Sequence, residues 1–143
     1  MIFVLDCSVT MPWLLKNDPS GYADLVLKRF TRDRAIVPEL WYLEVANTLL
    51  VRERRKHVDA TESRRFRSYL SELPIEVDIQ TLEVTCEQVI KLSRDNGLSS
   101  YDGVYLELAQ RQNLALATLD GKLRTAAIKT GVPLLAVKGT TPS

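Results

Sequence analysis

LSSYDGVYLELAQRQNLALATLD, residues 98–120, holds a helix, a turn and a strand with one carboxylate at each end. Ser99 followed by Asp102 fits the Ser-x-x-Asp signal that opens a helix. Tyr101, Val104, Tyr105 and Leu108 then recur at the helical period, as the core face of a helix does. Leu114 to Leu119 is apolar apart from Thr118, which is too short for a helix and suits a strand covered on both faces. Asp120 follows at once.

Outward from this stretch the same alternation continues. Ile2 to Leu5 reads as a buried strand ending in Asp6, and a short helix runs through Trp13 to Leu15 until Asn17-Asp18-Pro19-Ser20 breaks it. Tyr22, Leu25, Val26 and Phe30 mark a further helix. Ala35 to Val37 is a short strand stopped by Pro38. Leu40 to His57 is a long helix, apolar first and basic later. A helix over Thr61 to Leu73 precedes Pro74 and an edge strand at Ile75 to Val77. Thr81 to Asn96 reads as a helix closed by Gly97, and Lys122 to Thr130 as one ending at Gly131. Val132 to Val137 makes a last strand.

Strands alternating with helices predict an α/β fold: one domain over residues 1–137, with a central parallel sheet of about five strands and helices on both faces. Residues 138–143 form a polar tail. In such sheets ligands bind outside the carboxyl ends of the strands, where Asp6 and Asp120 both fall.

Composition narrows the classes. The 143 residues suit one domain, and 45% hydrophobic content excludes disorder. No apolar run approaches the ~20 residues of a membrane-spanning helix, and Asp6 interrupts the N-terminus too early for a signal peptide. Two cysteines, Cys7 and Cys86, make neither a disulfide framework nor a zinc site, so a cytoplasmic protein is expected. A net charge of +1 gives no global attraction to nucleic acid.

Glu44 is the most informative acid. It is the only charge in LWYLEVANTLLV, residues 40–51, and no Lys or Arg stands within a helical turn of it. A carboxylate there needs a partner from elsewhere in the chain, either a distant base or a metal ion. The other acids have plainer readings as well: Asp6 and Asp120 as helix caps, Asp102 as part of a capping box. In the α/β fold, however, Asp6, Glu44, Asp102 and Asp120 can all converge on one rim. Two such charges ~5 Å apart repel by roughly 3 kcal/mol at an effective dielectric of ~20. A divalent cation removes that repulsion, and all-oxygen ligands select Mg²⁺ or Mn²⁺.

With these residues in place, the chain resembles the PIN-domain nucleases, and most closely the VapC-type toxins of toxin–antitoxin pairs. Asp6-Cys7-Ser8-Val9 matches the family's Asp-x-Ser start, and Glu44-Val45-Ala46-Asn47 its Glu-x-x-Asn helix. Ser100-Tyr101-Asp102 with Tyr105-Leu106 and Ala109 matches its Tyr-Asp motif, and Ala117-Thr118-Leu119-Asp120 its Thr-x-Asp ending. The resemblance covers essentially the whole chain. It implies a Mg²⁺- or Mn²⁺-dependent endoribonuclease that cuts single-stranded RNA, often in tRNA or rRNA loops, with water activated at the metal. It implies Asp6 and Asp102 as the main metal ligands, completed by Glu44 and Asp120, with Ser8, Asn47 and Thr118 orienting the carboxylates. It also implies a homodimer and a VapB-type antitoxin.

Arg52, Arg54, Arg55, Lys56, Arg64, Arg65 and Arg67 concentrate seven of the nineteen cations in sixteen residues. They read either as an RNA or antitoxin contact or as a solvated helix pair balanced by nearby acids. Lys122 and Arg124, just past Asp120, suit a scissile phosphate or a plain helix surface. His57 reads as a surface residue. Cys7, Trp13, Trp41, Tyr42, Tyr101 and Tyr105 read as core or interface. A phosphatase with two aspartates after the first strand is excluded because Ser8 occupies the second position, and glycine-rich nucleotide loops are absent. A non-catalytic module of the same fold, binding RNA or antitoxin, is the alternative.

Overall fold

The computed structural model describes residues 1–138; of the expected tail, residues 139–143 lie outside the described residues. Four parallel strands form one sheet: β1 (Ile2–Leu5), β2 (Arg34–Pro38), β3 (Ile75–Asp78) and β4 (Ala115–Ala117), in the order β3-β2-β1-β4. Phe3, Val4 and Leu5 point alternately to opposite faces, and all three are fully buried. Helices therefore cover both faces, as the uninterrupted apolar runs require.

The expected fifth strand is reduced to a single parallel bridge, Leu116 to Leu134. Leu116 N–H donates to Pro133 and Leu135 N–H donates back to Leu116, while Pro133 itself has no N–H to extend the ladder.

The helices are α1 (Cys7–Thr10), α2 (Pro12–Leu15), α3 (Tyr22–Lys28), α4 (Leu40–Arg54), α5 (Ala60–Ser71), α6 (Ile90–Asn96), α7 (Ser100–Gln112) and α8 (Gly121–Thr130). α4 stops at Arg54, short of His57, because Lys56 turns left-handed at φ 60°. α5 begins with a complete capping box between Asp59 and Glu62. The segment expected to be one helix from Thr81 is π-helical over Val84–Val89 before α6 begins. A 3.6-residue period does not distinguish the two hydrogen-bonding patterns.

α7 runs against β1, β2 and β4 and supplies Tyr105, the largest fully buried side chain among the described residues. Its Gly103 lets α6 approach so closely that a Cβ there would stand 1.9 Å from Ser93 Oγ. At the sheet edge, Arg111 of α7 bridges Asp78 of β3 (2.6 Å) and Glu107 (2.6 Å), and Gln80 donates to the same Glu107 (2.8 Å). This clamp holds β3 against α7.

The indoles are core groups with partnered N–H donors: Trp13 donates to the Ala23 carbonyl and Trp41 to Thr10 Oγ1. Tyr42 and Tyr101, by contrast, lie exposed on the first turns of α4 and α7, where the helix ends leave the core. No helix among the described residues is long and apolar enough to cross a membrane.

Candidate metal centre

β1 has β2 on one side and β4 on the other, so the chain changes direction across the sheet between β1 and β4. Crevices form beyond the carboxyl ends of strands at such a switch point. Asp6 follows β1 directly, and its N–H continues the ladder to the Ala117 carbonyl at 3.0 Å. It occupies the N-cap position of α1 but makes no side-chain cap bond. Its Oδ2 instead accepts from Ser8 Oγ (2.6 Å) and Thr118 Oγ1 (2.7 Å). The direction of these bonds is fixed. Ser8 Oγ accepts from Leu119 N–H and Thr118 Oγ1 from Asp120 N–H, so each hydroxyl proton is left for the carboxylate.

The remaining acids arrive from three helices. Glu44 lies in the second turn of α4, half-buried, and Tyr105 Oη donates to its Oε1. Within the chain, the partner that the sequence required is thus a phenol hydroxyl rather than a base. Asp102 is in the first turn of α7, where Ser99 Oγ accepts its N–H at 3.2 Å. Asp120 is the N-cap of α8 and accepts Leu123 N–H on Oδ1 at 3.0 Å. The capping reading of Asp120 holds, whereas at Asp102 only the Ser99 half of a capping box is made and its own carboxylate caps nothing.

Burial, with neighbouring acids adding to it, raises the carboxyls of Asp6, Glu44 and Asp102. Burial pushes the Asp6 carboxyl up to about 6; the two hydroxyls oppose this, and the charges of Asp102 and Asp120 reinforce it. Burial likewise raises Glu44 to about 7, opposed by Tyr105 and reinforced by Asp6 and Asp102. Asp102 is raised by burial and by Asp120, and lowered by Ser99 and by the cation of Lys122. A site that resists its own ionisation in this way favours a cation.

No three His, Cys, Asp or Glu side chains among the described residues stand close enough to chelate an ion by themselves. Mg²⁺ binds through one or two carboxylates and keeps several waters, so this open, all-oxygen set fits a hydrated divalent ion.

Of the supporting residues, Ser8 and Thr118 hold Asp6, whereas Asn47 is exposed on α4 without a hydrogen bond to the four acids among the described residues. Lys122 is exposed beside Asp102, while the charge of Arg124 registers at Tyr22. Arg54 and Arg55 are exposed at the far end of α4, about 15 Å of helix beyond Glu44. Arg52 turns to His57 Nδ1 at 3.2 Å. Tyr105 is the site residue that the sequence pattern left in the core; its place in a Glu44 contact across 61 positions has no local signal. Cys7 is buried, and burial with the Glu44 and Asp6 charges raises its thiol, so it is unreactive.

A parallel α/β sheet with acids gathered at its switch point is the class defined by these features. A model of the PIN domain matches residues 3–129, and the chain belongs to that family. Among solved structures, it is similar to PAE2754 from Pyrobaculum aerophilum, at 24% identity over 88% of this chain and 79% of that one, TM-score 0.66. VapBC2 from Rickettsia felis, bound to a DNA fragment from its promoter, gives 14% identity over 95% and 98%, TM-score 0.64. A toxin–antitoxin complex from Klebsiella pneumoniae gives 18% identity over 82% and 86%, TM-score 0.59. Comparison with curated proteins yields no match.

Proposed function

We propose that this chain is a Mg²⁺- or Mn²⁺-dependent endoribonuclease, the VapC-type toxin of a toxin–antitoxin pair, acting on single-stranded RNA. The observation that carries the reading is the gathering of Asp6, Asp102 and Asp120 at the β1–β4 switch point, where Ser8 and Thr118 hold Asp6, with Glu44 close enough to feel the charges of Asp6 and Asp102. Asp6 and Asp102 would hold the ion, with Glu44 and Asp120 reaching it directly or through water. A divalent ion there supplies charge neutralisation for the phosphodiester and a water of lowered pKa. Ser8 and Thr118 keep Asp6 ionised and aimed, and Lys122 offers a cation for the phosphate beside Asp102.

The antitoxin reading is supported by an apolar groove between α4 and α5, of about 730 Å³. That is room for the side chains of a docked segment. Trp41, Val45, Leu49, Leu50 and Leu70 line it, and Arg64 and Arg67 outnumber Glu53 among the charged lining residues, a net positive charge suited to an acidic partner peptide. Homodimerisation and a cytoplasmic site of action belong to the same proposal.

The test is incubation of purified protein with total cellular RNA, with Mg²⁺ or Mn²⁺ and with EDTA, beside Asp102→Asn. Discrete fragments that need both the metal and Asp102 are expected. Binding of RNA without metal-dependent cleavage, unchanged in Asp102→Asn, would favour a non-catalytic module.

A further inference from the structure

The acids of the site are held by hydroxyls. Ser8 and Thr118 donate to Asp6, and Tyr105 donates to Glu44. The first two follow their carboxylates closely in space along adjacent strand ends, but Tyr105 reaches from the middle of α7 to α4. It is fully buried, and its ring is fixed by the core around it. A tyrosine hydroxyl carries one proton and is neutral at pH 7, and in Tyr105 that proton is committed to Glu44.

The chemistry of this choice matters. Glu44 has no cation within a helical turn, and the charges it senses are Asp6 and Asp102, both of its own sign. An Arg or Lys in place of Tyr105 would hold the carboxylate equally well, but it would neutralise the pocket and compete with a metal ion. A phenol orients one oxygen, Oε1, adds no charge, and leaves Oε2 for a ligand. Hydrogen-bond partners of this kind fix the orientation of metal-binding side chains, and their loss weakens metal affinity about 10–100-fold.

We propose that Tyr105 is a positioning residue for Glu44, aiming its carboxylate into the metal centre without lowering the centre's negative charge. This rests on the metal-dependent nuclease reading above. Because Tyr105 sits on the helix that also carries Asp102, it couples the Glu44 side of the pocket to the Asp102 side.

The test is a double-mutant cycle of Tyr105→Phe and Glu44→Gln, read by Mn²⁺ titration calorimetry and by RNA cleavage. Phenylalanine preserves the buried ring, and Glu44→Gln keeps an acceptor for the phenol, so each single variant retains the packing. Tyr105→Phe is expected to weaken Mn²⁺ binding about tenfold in the wild-type background and to have no further effect in Glu44→Gln. Saturating Mn²⁺ should restore cleavage by Tyr105→Phe, which a packing defect would not allow. Equal losses in both backgrounds, or unaltered Mn²⁺ affinity in Tyr105→Phe, would overturn the positioning role while leaving the nuclease reading intact. A wild-type protein that binds no Mn²⁺ would overturn both.

Discussion

Thr118 Oγ1 donates to Asp6 Oδ2 at 2.7 Å across 112 positions of the chain, joining the ends of two neighbouring strands through a single proton. The same hydroxyl accepts Asp120 N–H at 3.0 Å. Thr118→Val keeps the shape and removes both bonds. One of them reaches a buried carboxylate, so a loss of about 2–4 kcal/mol is expected in urea denaturation at pH 8. The hydroxyl favours ionised Asp6, so the loss should shrink at pH 5, where the acid is protonated. A loss under about 0.5 kcal/mol at pH 8 would show that the bond is not made in solution.

Asp6 gives a second prediction, whose sign follows from its raised carboxyl. The folded value is about 6 against an ordinary 3.8, so between these pH values the native chain holds a proton that the unfolded chain has shed. Stability therefore falls as pH rises through that window. With Asp6 nearly inaccessible, the full deficit above pH 6 is about 3 kcal/mol. Asp6→Asn can still accept from Ser8 and Thr118, and it carries no charge. It should raise the stability of metal-free protein by about 1–3 kcal/mol at pH 8 and by little at pH 4. It should also abolish cleavage. Lower stability than wild type at pH 8 would contradict an Asp6 carboxylate that is costly to hold ionised in its buried place.

The strand and helix order, and the placing of Asp6 and Asp120 at strand ends, were legible because apolar runs of strand length are bounded by helix caps. The runs Phe3-Val4-Leu5 and Ala115-Leu116-Ala117 carry the β1–β4 pairing. What local pattern could not supply is long-range partnering. Glu44 visibly needed a partner, but that Tyr105 provides it depends on how α4 and α7 approach. The same limit applies to Val132–Val137, whose apolar run suits a strand although β4, only three residues long, offers one bridge. Asn47 follows Glu44 at helical spacing, yet the rotation of α4 leaves it in solvent.

The Arg111 clamp sets a stability prediction remote from the acids. Glu107 is buried, and Arg111 is its charged partner. Arg111→Met strands that carboxylate with Gln80 alone and should cost about 3 kcal/mol. Adding Glu107→Leu should recover most of the loss, since a buried ion pair contributes little over apolar packing. A single variant as stable as wild type in thermal denaturation would contradict the clamp.

Arg54 and Arg55 are exposed at the end of α4 away from Glu44. Reversing both to Glu should leave the melting temperature close to wild type. If they touch the RNA backbone, the dependence of cleavage on log salt should flatten by about 1 for each phosphate that no longer meets an arginine. An unchanged salt slope would assign these residues to a solvated surface or to the antitoxin.

The most direct measurement is Mn²⁺ titration calorimetry on wild type and on Asp6→Asn, Glu44→Gln, Asp102→Asn and Asp120→Asn, because the claim at the centre is that these four acids form one cation site. Saturable binding by wild type, weakened tenfold or more in all four variants and most in Asp6→Asn and Asp102→Asn, is the expected result. Absence of binding by wild type, or unaltered binding by Asp102→Asn, would contradict it.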